Sequence, residues 1–579
     1  MRKLIFLFLF LPLFANARKF YISSSVGNDT YTYIQAQNQA TPWKSLKTVT
    51  CFGSSLWNGY QDFTTYPNKA AAGDTFLFKR GDLFDNGWTY YSSFQWLNYA
   101  PEGYSCPSGT ASNPIVFTNY GSGDLPNFLY PTSTIPTNSS RQVFELGGVT
   151  NIIIDGLQFN ENRGTFNLND KANPAPTRAA IWLGTSSSGT WIDTTILARK
   201  VKDCIVRNCY FNNVSFAIGS LAGIRCEIYN NTIENLKSCT DTSGTYDVGA
   251  GAFEGLNGYY NKIHHNYVKG AWAKSGRVSS TFGLLGVGCD IFNLKYSSIN
   301  YNTFVDCSGA WEIGNIDQVD TNAGAQYDTF AYNKIINCGQ LGYVHGVPGD
   351  PFMGKVKSIY NWNNVVINNN KSRMNGPSFG SDIYSDGQSF YPWWFFRSPL
   401  KCPNNSLPIS DTTWSNPINP SWCNATGHRA TIQYSSDNFS GNPDTIVDIR
   451  NNIFYCTTGD LMIYDNTRTK FKHTNNIYYI KGSFLNATSL GGTLGSNEEQ
   501  RNTSIFVDTT NTYPENWDLH IASGSDWAIT HGANVGFTKD FSGATIIGTP
   551  TIGLFQYGST PTPTIINSFR TKKRFANKN

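Results

Sequence analysis

One short pattern occurs five times between Asp203 and Gly339, and it restricts the folds open to this chain. The pattern is an apolar residue, two variable residues, Asn or Cys, a variable residue and a second apolar residue. Its copies span residues 206–211, 228–233, 263–268, 299–304 and 330–335. The last apolar residues of successive copies are 22, 35, 36 and 31 positions apart. This spacing predicts a solenoid whose coils of ~20 to 30 residues consist of short strands and variable loops.

The central Asn explains why the pattern is strict. Asn231, Asn266, Asn302 and Asn333 occupy the same slot in four copies. Coils stacked at the strand spacing of ~4.8 Å would pile these amides so that each bonds the next. Asn at a tight corner also accepts left-handed backbone better than most residues. Ordinary turns would not share apolar flanks at fixed offsets, so we predict an Asn ladder along one corner of the solenoid.

The first 17 residues have the features of a secretion signal. Arg2 and Lys3 precede the apolar run 4–14, and Ala15-Asn16-Ala17 suits a signal peptidase. The run is too short to span a bilayer, and no later stretch of ~18 apolar residues exists. We therefore expect an exported protein, secreted, periplasmic or on the cell surface, with no membrane span.

The composition fits an exported β-protein and gives no indication of nucleic-acid binding. The chain has 38 Phe, 32 Tyr and 15 Trp but only 15% charged residues, and its net charge is +4. The basic cluster in 570–574 follows a Pro/Thr-rich stretch and reads as a solvated tail. An aromatic-rich chain of this kind can bury a long core.

Twelve cysteines in an exported chain can form disulfides. Cys51 with Cys106, and Cys402 with Cys423, would each close a loop. Cys307 and Cys338 occupy equivalent places after their repeats and could instead stack as small buried thiols. The sequence alone leaves the pairing open.

We divide the chain into six segments. They are the signal peptide (1–17), an N-terminal cap with the first coils (18–150), a central parallel β-helix (151–369), a loop insertion (370–444), C-terminal coils (445–558) and a Pro/Thr linker with a basic tail (559–579). A cap is expected because the first open edge of a solenoid needs protection. A long insertion often folds over the binding face of a solenoid.

Several segments resemble the right-handed parallel β-helix superfamily, which has the pectin-lyase-like fold. They are Tyr21–Ser24, Pro42–Leu46, Gly73–Asp82 and the Asn-rich coils, and residues 550–558 are similar to the final strand of exported bacterial members. The resemblance covers about residues 20–485 and implies an all-β, right-handed parallel β-helix of a carbohydrate-active type. The superfamily includes polysaccharide lyases, glycoside hydrolases, uronan epimerases, adhesins and tailspikes, so the resemblance leaves the reaction open.

Alternation within two predicted strands places acids on the outside of the solenoid. Trp311 and Ile313 share the interior face, so Glu312 between them points outward. The same reasoning turns Glu254 outward. The two strands are predicted two rungs apart, which separates the carboxyl groups by ~9.6 Å. This separation is closer to that of the two carboxyl groups in inverting glycosidases, roughly 6.5–9.5 Å, than to the roughly 5–5.5 Å found in retaining ones.

Other residues are predicted to lie beside these acids. Tyr343 should stack near Glu312, with His345 one pleat along on the same face, and Asp317 in an adjoining loop could supply a second carboxylate. A stacking platform for sugar rings could combine Tyr343 with outward aromatic residues. The candidates for that platform are Trp182, Trp393 and Trp394, the last two from the insertion.

An elimination reaction would draw on different residues. Lys274 and Arg277 lie in a predicted loop, 269–277; Arg suits the carboxylate of a uronic acid, and a Lys with a lowered pKa can remove the neighbouring proton. A lyase could also use calcium, whereas we predict no cofactor for a hydrolase. His264-His265 lacks further ligands at a metal spacing, so no metal site is predicted.

Together these residues predict a polysaccharide-degrading enzyme that binds its polymer in a groove along the β-helix and acts as a monomer. Hydrolysis is favoured because Glu254 and Glu312 come from strands, where their direction is fixed by alternation. The alternatives are a lyase acting on a uronic-acid polymer and a non-catalytic, glycan-binding or adhesive β-helix.

Overall fold

The structure is a computed structural model, and its description covers a defined set of residues. They are 17–45, 70–84, 94–99, 104–130, 143–161, 179–184, 200–214, 216–220, 223–239, 251–256, 258–274, 287–307, 309–314, 324–338, 341–345, 356–368, 429–434, 447–456, 461–463, 471–480, 494–524 and 526–558. These residues are almost entirely β. They include 3-10 turns at Gln35–Gln37 and Pro514–Asn516 and one short helix, α1, at Trp527–Thr530.

Three long sheets run side by side along the molecule, and each coil adds one strand to each sheet. The first sheet has 12 strands, all parallel. They are β1 (Lys19–Ile22), β2 (Thr75–Lys79), β6 (Ile115–Tyr120), β9 (Ile152–Asp155), β12 (Ile205–Arg207), β15 (Glu227–Tyr229), β18 (Lys262–His264), β21 (Ser298–Asn300), β24 (Thr329–Ala331), β27 (Ile359–Trp362), β30 (Val447–Arg450) and β33 (Phe471–Thr474).

The second sheet also has 12 parallel strands. They are β3 (Leu83–Phe84), β7 (Asn127–Tyr130), β10 (Gln158–Glu161), β13 (Tyr210–Asn212), β16 (Thr232–Cys239), β19 (Tyr267–Lys274), β22 (Thr303–Val305), β25 (Lys334–Ile336), β28 (Val365–Asn368), β31 (Ile453–Cys456), β34 (Ile477–Ile480) and β35 (Glu499–Arg501).

The third sheet has 11 strands. They are β4 (Phe94–Tyr99), β5 (Tyr104–Ser105), β8 (Phe144–Gly147), β11 (Ala179–Leu183), β14 (Phe216–Ser220), β17 (Gly251–Leu256), β20 (Val287–Phe292), β23 (Gly309–Gly314), β26 (Gly342–His345), β29 (Arg429–Tyr434) and β32 (Leu461–Ile463). Within it only β4 and β5 pair antiparallel. Three parallel sheets built coil by coil form a parallel β-helix, so the predicted fold is confirmed.

The predicted Asn ladder is present at the corner between the first and second sheets. It comprises Asn231, Asn266, Asn302, Asn333, Asn364, Asn452 and Asn476, and each side-chain amide donates to the Oδ1 of the next at 3.0–3.2 Å. The backbone N–H of each also donates to that Oδ1, for example from Asn266 to Asn302 at 3.0 Å. Glu498 ends the ladder, because its Oε1 accepts from Asn476 at 2.6 Å.

The left-handed backbone lies one residue before the ladder, not on it as we expected. His265, Tyr301 and Tyr332 have φ of 54°, 60° and 52°. The ladder residues themselves have no positive φ among the described residues. The reason is that each ladder Asn must turn its amide inward to bond its neighbours, so the preceding residue makes the turn.

A second ladder, which the repeat pattern did not reveal, lies where the third sheet leads back to the first. The N–H of Cys226 donates to Asn261 Oδ1 at 2.9 Å, the N–H of Asn261 to Ser297 Oγ at 3.1 Å, and the N–H of Ser297 to Asp328 Oδ1 at 2.8 Å. Asp328 is fully buried. Its Oδ2 has no partner among the described residues, and burial raises the pKa of Asp328 to about 8.

Apolar side chains fill the interior of the coils in stacked columns. Phe128 stacks on Phe159 at 5.5 Å and Phe159 on Phe211 at 5.0 Å between ring centroids. Cys307 and Cys338 are free, buried thiols, which is the stacked alternative left open above, and their side chains share a hydrogen bond. Cys106 is disulfide-bonded. The other cysteines of the predicted pairs, Cys51, Cys402 and Cys423, lie outside the described residues.

The C-terminal part of the chain covers the outer side of the second sheet. The strands of the coils extend to Arg501, and the antiparallel pair β36 (Phe506–Asp508) and β37 (Asp518–Ile521) follows. Apolar residues 505–554 pack against outward residues of the sheet such as Ile336 and Ile367. Lys269 Nζ reaches Glu515 Oε1 of this segment at 3.0 Å. The second sheet is therefore buried on both faces over its later strands, from β22 to β34.

The predicted insertion contains a strand that its sequence did not reveal. Residues 429–434, within the 370–444 segment, form β29 of the third sheet and pair in parallel with β26. The remainder of the insertion lies outside the described residues, as do residues 1–16 of the signal peptide and the 559–579 tail. No helix in the described part of the chain is long and apolar enough to cross a membrane.

Candidate functional site

One row of residues runs along the outer face of the third sheet, and we call it the acidic row. Its register partners, strand after strand, are Gln95, Glu145, Trp182, Gly219, Glu254, Asp290, Glu312, Tyr343 and Gln433. The residues on either side of the row face the core; Phe253, Trp311 and Ile313 are at most 1% exposed. The alternation of the strands therefore turns outward those side chains of the row that the structure describes.

The predicted relationship between Glu254 and Glu312 is correct, but a third acid lies between them. Glu254 pairs in register with Asp290, and Asp290 pairs with Glu312. Adjacent carboxyl-bearing positions are thus one strand spacing apart, ~4.8 Å. Asp290 was missed, although Cys289 and Ile291 flank it with the same alternation that identified Glu312.

Burial makes the central acids hold protons more tightly than exposed carboxyls do. It raises the pKa of Glu254 to about 8, with a further contribution from the charge of Asp290. Burial also raises the pKa of Asp290 to about 7. At neutral pH at least one of these two coupled carboxyl groups therefore carries a proton. Such a pair can present an acid and a carboxylate side by side.

Two polar atoms of the row are buried without a hydrogen-bond partner among the described residues. They are Asp290 Oδ1, an acceptor, and Trp182 Nε1, a donor. Leaving a buried polar group unpaired costs about 1–3 kcal/mol, so such groups in a native structure call for an explanation. The third acid of the central group, Glu312, is also almost fully buried, with 2% of its surface exposed.

The structure brings most of the strand-borne candidates together. Trp182 lies two strands before Glu254 in the acidic row, and so points outward as predicted. Tyr343 is the register partner of Glu312. His345 pairs with Gly314, which puts it one pleat along. The side chains of Tyr343 and His345 are outside the description. Asp317, Arg277, Trp393 and Trp394 lie wholly outside the described residues.

Lys274 is not in the predicted loop. It is the last residue of β19, where its register partner is Cys239, and it belongs to the second sheet. The strand continues this far because Val268 and Ala271 are both buried in the core. Residues 269–274 of the predicted 269–277 loop are therefore part of a strand, and that part of the prediction was wrong. Lys274 also lies in a different sheet from the acidic row, which is in the third sheet.

The described residues contain no group of three or more His, Cys, Asp or Glu side chains suited to a metal ion. His264 is engaged otherwise: its Nε2 lies 2.9 Å from Glu227 Oε1 and its ring stacks on Tyr229 at 5.0 Å. Burial, followed by the charge of His264, lowers the pKa of His265 to about 4.

The connections around the third sheet differ from those at the Asn ladder. From β9 onward, two residues join each first-sheet strand to the next second-sheet strand. The connections into and out of the third sheet vary much more, from residues 213–215 to residues 369–428. Binding residues are found most often in variable connections held by a rigid scaffold. The corner that varies therefore flanks the face that carries the acidic row.

No protein-family model matches the chain, and no curated protein matches its sequence. Similar solved structures include XylC in complex with xylose, with 8% identity over 94% of this chain and 99% of that one, at a TM-score of 0.44. A GH136 lacto-N-biosidase from Eubacterium ramulus has 12% identity over 80% and 68%, at 0.39. Pectate lyase Pel9A has 11% identity over 93% and 96%, at 0.37. All three TM-scores are below 0.5, so the fold assignment rests on the strand order of this chain.

Proposed function

We propose that this protein is an exported glycoside hydrolase that cleaves a polysaccharide bound along the acidic row. The observation that carries the proposal is the register pairing of Glu254 with Asp290 on the outer face of the third sheet. Hydrolysis of a glycosidic bond needs a protonated carboxyl and an ionised one flanking the bond. Two adjacent acids with raised pKa values supply both near neutral pH.

Glu254 is the proton donor in this proposal, since burial and the charge of Asp290 both raise its pKa. Its proton goes to the glycosidic oxygen as the bond from that oxygen to the anomeric carbon breaks. The carboxylate of Asp290 forms a bond to the anomeric carbon, as the spacing of ~4.8 Å favours. Water then replaces Asp290 on that carbon, and Glu254 takes the proton of the water. Glu312 is the next carboxyl along the row, one strand beyond Asp290.

Elimination has less support from the described residues. Lys274, one of the two basic candidates, belongs to the second sheet rather than to the acidic row. A lyase would need a cation to neutralise a uronic carboxylate. The strand positions of the row supply acids instead.

The test is to incubate the mature protein with a panel of neutral and uronic polysaccharides. Reducing ends and the ultraviolet absorbance of unsaturated products are both measured. We expect reducing ends without absorbance, and their loss in Glu254→Gln and Asp290→Asn. Asp124→Asn, at an exposed carboxyl on another face, is the matched control and should keep full activity.

Two outcomes would reject the proposal. Absorbance of an unsaturated product that survives Glu254→Gln would identify a lyase. Glycan binding with neither signal after long incubation would identify a non-catalytic glycan-binding protein.

A further inference from the structure

Four of the six free cysteines that the structure describes form two pairs of the same construction. Cys204 and Cys226, the first thiol pair, directly precede β12 and β15, two strands of the first sheet that pair in register. Cys307 and Cys338, the second thiol pair, follow β22 and β25 by two residues each, and these strands of the second sheet also pair in register. The members of each pair therefore occupy equivalent positions of adjacent coils.

The two thiols of each pair face each other inside the core. Their side chains share a hydrogen bond in both pairs, and all four residues are at most 3% exposed. Equivalent positions of adjacent coils are ~4.8 Å apart. This distance lies within the roughly 4.4–6.8 Å that separates the Cα atoms of disulfide-bonded cysteines. Each pair can therefore close to a disulfide without a change in strand register.

The other two free cysteines, Cys209 and Cys289, have no thiol at the equivalent positions of the neighbouring coils. The residues at those positions are Phe253 and Trp311 for Cys289, and Leu157 and Asn231 for Cys209. Both cysteines are as deeply buried as the paired ones. They serve as internal controls, because they share the environment of the pairs but lack a partner.

The core makes the thiols unreactive once the coils have closed. Burial, and then the hydrogen bond with Cys338, raises the pKa of Cys307 well above its ordinary value. The hydrogen bond with Cys226, and then burial, raises the pKa of Cys204 in the same way. Thiol–disulfide exchange needs a thiolate that the reagent can reach. The folded core provides neither, so exchange has to occur before the neighbouring coils pack.

We propose that the two thiol pairs are internal redox sites, each of which closes to a disulfide when the chain folds in the presence of a small-molecule disulfide. The folded core then keeps the state, dithiol or disulfide, in which the coils closed. The inference is independent of the proposed function.

The oxidation consists of two exchange steps. One cysteine thiolate attacks the small-molecule disulfide, forms a mixed disulfide with one half of it and releases the other half. The second cysteine thiolate attacks the protein sulfur of the mixed disulfide and releases the second half. Each released thiolate takes up a proton that a protein thiol has lost. Two protein thiols are thereby oxidised, and one small-molecule disulfide is reduced to two thiols.

Each disulfide joins adjacent coils covalently. The two cross-links connect residues 22 and 31 positions apart in sequence, and cross-links of this kind restrict the unfolded chain. Cys307 lies two residues before β23, the strand that carries Glu312. The second disulfide therefore holds the turn that leads into the acidic row.

The test varies the redox buffer in which the full chain folds. The chain is made by cell-free translation with reduced glutathione alone or with added oxidised glutathione, then denatured, alkylated and mapped by peptide mass spectrometry. With oxidised glutathione we expect both thiol pairs to be cross-linked, whereas Cys209 and Cys289 enter no protein disulfide. Chain that has folded with reduced glutathione and is then moved to oxidised glutathione should keep both pairs as thiols until denaturant is added.

Variants separate the two sites. Cys226→Ala and Cys338→Ala each remove one disulfide, and each is the control for the other. Wild-type protein folded with oxidised glutathione should unfold at a higher denaturant concentration than reduced protein, and each variant should lose part of that increase. Cys209→Ala should keep all of it. Thermal melting confirms that each variant folds.

Three results would overturn the inference. A folded, oxidised sample in which a pair is still alkylated removes that pair as a redox site. Cross-linking of Cys209 or Cys289 to the same extent as the pairs would show that register does not direct the oxidation. Equally fast oxidation of the folded dithiol would show that the core does not preserve its state.

Discussion

Glu254 and Asp290 are register partners on neighbouring parallel strands, and both carboxyl groups point away from the core. Their strands, β17 and β20, belong to successive coils, so residues 36 positions apart in sequence lie one strand spacing apart. Burial holds the pKa of Glu254 at about 8 and that of Asp290 at about 7. Backbone pairing thus fixes the spacing of the pair, and burial sets its charge.

The pH dependence of catalysis should follow this pair. We expect kcat/KM to fall above about pH 8 as Glu254 loses its proton. Glu254→Gln removes the proton donor and should lower kcat about 10²- to 10⁴-fold. A substrate with a good leaving group, which needs no proton, should recover much of the lost rate. Unchanged kcat in Glu254→Gln would assign the acid role elsewhere.

The stereochemistry of the first product should report which second carboxyl acts. Glu254 and Asp290 are one strand apart, ~4.8 Å, which lies near the roughly 5–5.5 Å spacing of retaining enzymes. We therefore expect the released sugar to keep its anomeric configuration, as measured by proton NMR in the first minutes of reaction. Inversion would instead pair Glu254 with Glu312, two strands away.

The same two acids should make the protein less stable as pH rises. Their folded-state pKa values of about 8 and about 7 exceed their ordinary values of 4.5 and 3.8. The folded chain therefore binds more protons than the unfolded chain between about pH 4 and pH 8, and the free energy of unfolding falls across that interval. Denaturant titrations at pH 5 and pH 8 should show a smaller difference in the free energy of unfolding for Asp290→Asn than for wild type. Asp124→Asn should leave the difference unchanged.

Asp328 offers a stability test away from the acidic row. Its pKa of about 8 shows that burial disfavours the carboxylate. Asp328→Asn keeps the Oδ1 that accepts from the N–H of Ser297 and removes the titration. We expect the variant to be more stable than wild type by about 1–3 kcal/mol at pH 9, and by less at pH 5. Equal stability gains at both pH values would contradict this account.

The Asn ladder predicts a large effect from a small deletion. Asn302 Oδ1 accepts from the N–H and the side-chain amide of Asn266, and its own amide donates to Asn333. Asn302→Ala leaves these buried groups unpaired and should cost about 2–4 kcal/mol of unfolding free energy. Ser298→Ala, at a partly exposed position of the preceding strand β21, should change stability by less than about 0.5 kcal/mol. Chemical denaturation measures both.

The sequence by itself was enough to predict the repeating coil of the fold and the Asn ladder at one of its corners. The Asn slots at fixed offsets from apolar residues predicted a parallel β-helix with a stacked amide ladder, because side-chain alternation and strand spacing are local properties. The same alternation correctly turned Glu254, Glu312 and Trp182 outward.

Only the tertiary structure decided which acids lie next to each other and which side chains form the second hydrogen-bonded ladder. Asp290 is adjacent to Glu254 and Glu312 because three coils of different length bring their third strands into register, and no local pattern records the lengths of the intervening loops. The ladder through Ser297 and Asp328 mixes residue types, so no repeated letter marks it. Lys274 joined the second sheet because burial of Val268 and Ala271 extends β19, a packing effect that residue type alone does not specify.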